Sequence, residues 1–173
     1  MDIDNKIYSF SDLTDKTQEY LKMPKRPVNG TPVLDWPKAG CKLNIELISD
    51  ECKKIKFFLD IYESKLQSSI LLTAQPDRKS TTQARYASNV MIRIDFSNNQ
   101  ELLKHRNPDG TMIYGNHIHL DVPHYGSKFA VPISQQDIIV AGYENGTIYP
   151  FFESLLRVDS ISDKLIRNYS LGV

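Results

Sequence analysis

The feature that most constrains this chain is a change of hydrophobic period at Cys41. From there Leu43, Ile45 and Leu47 alternate with Lys42, Asn44 and Glu46. A period of two sends successive side chains to opposite faces of a strand, so this stretch reads as a half-buried strand. Similar runs follow at 55–62, 68–75, 89–96, 113–122 and 128–133. The gaps at 49–53 and 63–67 are of hairpin length. Consecutive short strands joined this way predict an antiparallel sheet of five to six strands.

The flanks read differently. Residues 1–22 suit a short helix, with Leu13, Thr17, Tyr20 and Leu21 near one face and Ser9 or Ser11 as cap. Pro24, Pro27, Pro32 and Pro37 then punctuate an extended segment that cannot be helix or central strand. At the other end, 147–158 suits a helix with Pro150 in its first turn, and 162–168 a shorter one. The predicted fold class is α+β, with helices from both termini packed on one face of the sheet. At 173 residues the chain fits a single domain, 1–173. Within it, 1–40 is a helix and proline-rich segment, 41–133 the sheet core, and 134–173 a helical part.

Composition narrows the function classes. Lys and Arg total 21 and Asp and Glu total 21, so no overall basic excess supports generic phosphate binding. Cys41 and Cys52 form no disulfide framework and read as reduced thiols. No apolar run of about 18 residues exists to span a membrane, and the acidic N-terminus is unlike a signal peptide. The chain is therefore expected to be cytoplasmic.

All four histidines fall between His105 and His124. Strand alternation puts His117, His119 and Asp121 on one face and Ile118, Leu120 and Val122 on the other. Likewise Arg93 and Asp95 oppose Ile92 and Ile94. If the apolar faces form the core, these polar groups converge on an open sheet face. Asn107-Pro108-Asp109-Gly110 is a type I turn signal that brings His105 beside the histidine strand. Upstream, Arg78, Lys79, Arg85 and Arg93 supply donors suited to phosphate, with Gln83 and Tyr86 between them. Tyr86 could stack on a base.

Histidine serves as acid and base near neutral pH, and a neighbouring cation stabilises a charged phosphorane. His117 and His119 are thus the expected catalytic pair, with His105 as third member. Lys79, Gln83, Arg85, Tyr86, Arg93 and Lys128 are the expected substrate-binding residues. His-x-His is also a metal-ligand pair, with Asp121, His124 or His105 to complete a set. The cupin pattern is incomplete, however, because Glu is absent from 116–135. No metal and no cofactor are therefore expected. Nucleophilic cysteine or serine motifs and nucleotide-binding glycine motifs are missing as well.

The runs FFLDIYESKL, TTQARYASNVMIRID, HRNPDGTMIYGNHIHLD and YGSKFAVPI resemble a family of small uncharacterised bacterial proteins. Its pattern is H-x-N-P-D-G, then H-x-H, then G-x-K, carried here by His105, Asn107, Asp109, Gly110, His117, His119, Gly126 and Lys128. Asp121 and the Val122-Pro123-His124 after it depart from the aromatic and charged run usual there. The resemblance implies a mobile-element, toxin–antitoxin or phage-defence setting, not a reaction. The leading expectation is a toxin-like or defence-related RNA-cleaving enzyme. The alternative is a non-catalytic binding protein: an antitoxin, or an inhibitor or partner of a defence system. RNA or a cognate protein would be the partner.

Overall fold

Alternation does become sheet, and sheet dominates. The computed structural model describes residues 10–29, 37–65 and 77–133; of these, 51% are strand and 13% helical. The strands are β1 (Arg26–Pro27), β2 (Lys42–Ile48), β3 (Lys56–Glu63), β4 (Lys79–Tyr86), β5 (Asn89–Ser97), β6 (Lys104–Arg106), β7 (Met112–Tyr114), β8 (His117–Val122) and β9 (Gly126–Pro132). Seven of them form one antiparallel sheet in the order β1-β2-β3-β4-β5-β8-β9, and β6-β7 form a separate hairpin.

This overturns the α+β expectation. Among the described residues there is one α-helix, α1 (Asp15–Lys22), so the fold is mainly β. The expected C-terminal helices, at 147–158 and 162–168, lie outside the described residues, as does the expected strand at 68–75. The strand that pairs with β3 is instead β4, in the basic stretch 79–86. Its inward side chains are Ser80, Thr82 and Ala84, all buried, and their small size hides the usual apolar alternation. The single strand expected at 113–122 is two, broken at Gly115, whose φ of +81° ends β7.

Register gives the sheet two unlike faces. On one, Ile45, Leu59, Ala84, Ile92, Leu120 and Phe129 align across six strands. Beside them run Ile61, Thr82, Ile94, Ile118 and Val131. These residues are the core, and Leu13, Tyr20 and Leu21 of the N-terminal segment pack on it. Thr14 caps α1, and the hydroxyls of Thr14 and Thr17 donate to Asp121 Oδ2 at 2.7 and 2.6 Å. Asp121 thus places a carboxylate at the positive end of α1. The opposite face carries Lys42, Asn44, Asp60, Tyr62, Thr81, Gln83, Arg85, Arg93, Asp95, His117 and His119.

Candidate functional site

His117 and His119 do share a face with Arg93 and Asp95, through the pairs Asp95↔His117 and Arg93↔His119. That end of the face is not open. His117 is 2% exposed and His119 3%. The β6-β7 hairpin covers them and brings in the half-buried His105. Ring centroids of His105 lie 4.5 Å from His119 and 5.6 Å from His117, and the last two are 5.2 Å apart.

The spacing of His105 and Asn107 explains how the hairpin docks. β9 is an edge strand, and its outward backbone groups need partners. His105 Nε2 meets Lys128 O at 3.0 Å. Two residues on, Asn107 Nδ2 donates to Ala130 O at 2.8 Å, and Ala130 N–H donates to Asn107 Oδ1 at 2.7 Å. The side chains of His-x-Asn therefore imitate a neighbouring strand. Turn geometry supports them: Gly110 N–H donates to Asn107 O, and Asp109 Oδ1 accepts from both the backbone and the hydroxyl of Thr111.

Each of the three imidazoles has one nitrogen against a backbone carbonyl. The contacts are His105 Nε2 to Lys128 O, His117 Nδ1 to Gly115 O at 2.8 Å, and His119 Nδ1 to Ser127 O at 3.2 Å. A carbonyl accepts, so each of those nitrogens carries the proton. The second nitrogen of each neutral ring is then a lone pair. For His117 and His119 that nitrogen is Nε2, and it faces Asp95 Oδ2 at 3.3 and 3.2 Å. Two neutral rings thus have two protons for four acceptor contacts. Protonating both rings would set His117, His119 and Arg93 as three cations around one carboxylate. Burial opposes this at His119, whose pKa is lowered despite Asp95 beside it.

Asp95 is the hub. Burial favours its neutral form, but its polar neighbours His117, His119 and Arg93, the last by both hydrogen bond and charge, outweigh that and hold its carboxyl far below the usual range. Arg93 grips it with Nε at 3.1 Å and Nη2 at 2.6 Å, and Thr81 Oγ1 donates at 2.6 Å. The nitrogens of His105, His117 and His119 form a set in which all three lie within 4.8 Å of one another.

The remaining expected site residues are dispersed. Arg85 Nε donates to Asp60 Oδ2 at 2.7 Å and Gln83 Nε2 to the same oxygen at 3.0 Å, so both belong to a second carboxylate hub. The acidic partners of Arg85 and Arg93 come from β3 and β5. Lys79, half-buried, begins β4 on the polar face. The Lys128 side chain is exposed. Tyr86 points to the other face, packing edge-on against Tyr20 at 4.7 Å. His124 sits in the exposed β8–β9 turn at φ 75°, apart from the cluster. Asp95 and Asn107, which were not among the expected site residues, hold the cluster together. Their signal is the same two-residue spacing that marks Arg93 and His105.

Cys41 and Cys52 are free thiols. No helix among the described residues is long and apolar enough to cross a membrane. A family of unknown function, DUF6978, matches residues 13–158. No curated protein and no solved structure matches the chain.

Proposed function

Since the chain belongs to DUF6978, a family that brings no reaction with it, we propose from the site alone that it is a metal-dependent hydrolase of phosphodiesters. The observation that supports this is the proton shortage at His117 and His119, beside a third carbonyl-anchored ring, His105. Backbone carbonyls that fix the tautomer of each ring are the usual outer shell of a metal-bound histidine. Three imidazoles suit a first-row divalent ion such as zinc. A tetrahedral zinc with nitrogens at about 2.0–2.1 Å has ligand edges of about 3.3–3.4 Å, which small side-chain rotations of this cluster would reach. This departs from the metal-free expectation because His117 and His119 are too buried to meet an RNA backbone directly.

His105, His117 and His119 would hold the ion, leaving its fourth position for water, whose pKa such an ion lowers. Asp95, which faces both Nε2 atoms, would orient the two rings and offset the ion's charge. The Arg93 side chain, 41% exposed, supplies a guanidinium for the phosphate. Such an ion would supply hydroxide at neutral pH for attack on phosphorus, with the water's proton passing to the leaving ester oxygen. RNA is the substrate class we put first.

Tag-free protein should hydrolyse a mixed-sequence RNA, lose that activity in excess chelator, and regain it with zinc. A second reading is metal-free RNA cleavage, favoured by the His119–Asp95 contact, a histidine–carboxylate dyad. Cleavage that persists in chelator would support that reading and refute the first.

A further inference from the structure

At the far end of the sheet from the histidines, the β2–β3 and β4–β5 turns meet α1 and leave a cleft of about 770 Å³. Its wall carries Lys16 from α1, Lys54 and Lys56 from the turn and start of β3, and Arg85 from the end of β4, with Tyr20 and Tyr86 between them. Among the described residues no acidic side chain lines it. Lys56 pairs with Glu46 at 2.9 Å, and Arg85 is held by Asp60. Among the described residues no carboxylate pairs with Lys16 or Lys54. The cleft therefore carries two uncompensated positive charges in a chain whose formal net charge is zero.

The cations sit on aromatic walls. Lys16 Nζ lies 5.0 Å from the Tyr86 ring centroid and 5.7 Å from that of Tyr20. The Arg85 guanidinium lies 4.0 Å above Phe58, and Arg85 also donates to Ala87 O. These contacts hold the charges along the cleft rather than leaving them on free stems. Arg85 also belongs to the polar face, which continues through Gln83 and Arg93 to the histidine cluster. From Asn89 to Asp95, six residues along β5, that path measures about 20 Å at about 3.3 Å per residue.

We propose that this cleft is a docking site for the phosphates of single-stranded RNA. Cations interleaved with aromatic rings are the general means of holding a single strand without reading its sequence. A path of this length favours an extended strand over a mononucleotide. Binding at this cleft requires neither a bound metal nor turnover.

Binding of a labelled single-stranded RNA 12-mer is followed by fluorescence anisotropy in chelator, against Lys16→Glu/Lys54→Glu. Both side chains are exposed, so the fold and the metal content should survive the change. The double variant should bind at least tenfold more weakly. Its dependence of log affinity on log salt should be shallower by about 1.4, for two cations on a single strand. Unchanged affinity in the variant would overturn the proposal. So would equal competition by a nucleoside monophosphate, which would make this a small-anion site, or by polyglutamate, which would make it an acidic-protein surface.

Discussion

Asn107→Ala tests how the site is assembled. Asn107 is 4% exposed, and its amide makes two hydrogen bonds with the backbone of Ala130 and one to Thr111 Oγ1 at 3.0 Å. A buried hydrogen bond contributes about 1 kcal/mol net, and a stranded partner costs about 1–3 kcal/mol. The Ala130 N–H and C=O would both be stranded, although β9 is an edge strand that water can approach. The expected loss is therefore about 3 kcal/mol. At about 2–4 °C per kcal/mol for a chain of this size, Tm should fall by about 6–12 °C. Thermal unfolding followed by near-UV circular dichroism measures it. Zinc affinity should fall by about 10–100-fold as well, because the hairpin that presents His105 is released. A Tm within about 1 °C of wild type would refute the claim that Asn107 docks the hairpin.

Other predictions follow from the same interactions. Thr82 is fully buried between Ile61 and Ile94, and its hydroxyl has no partner. Thr82→Val should therefore raise stability by about 1–2 kcal/mol in urea titration, and a loss would show that the hydroxyl is satisfied. Asp60 is pushed up by burial but pulled further down by hydrogen bonds from Arg85, Gln83 and Asn44, so its folded pKa lies below the ordinary value. Its contribution is present above the unfolded pKa of about 3.9 and is lost as pH falls through the lower folded value. Acid titration of Asp60→Asn should show a shallower stability loss below about pH 4 than wild type; parallel curves would count against this coupling. Gly110 has φ +90° with open space around its Cβ position, so Gly110→Ala should cost about 1 kcal/mol from backbone strain alone. An unchanged Tm would show that the turn adapts.

Much of the sheet was legible because β2, β3, β5 and β8 alternate large apolar residues with polar ones. Asn-Pro-Asp-Gly announced its turn through residue types with fixed φ preferences. β4 was not legible, because its core side is Ser80, Thr82 and Ala84 while the nearby run at 68–75 is more apolar. His117 and His119 were legible as sharing a face but not as buried, and Asp121, expected beside them, is held by Thr14 and Thr17 instead. The cover over the two histidines comes from a hairpin whose docking depends on backbone groups of β9, which no side-chain pattern reveals. The charge of Arg85 looked free because its partner Asp60 sits on another strand, and Asp95, placed beside Arg93 by alternation, was not recognised as its ion-pair partner.

The most direct test of the central claim is the metal itself. Protein purified without a histidine tag should bind one equivalent of cobalt(II), with visible absorption of a low-coordinate nitrogen-ligated ion and displacement by zinc. His119→Ala should abolish that signal while leaving the folded far-UV spectrum in place. Wild-type protein that binds no cobalt or zinc, or a His119→Ala variant that binds either as well as wild type, would contradict the account.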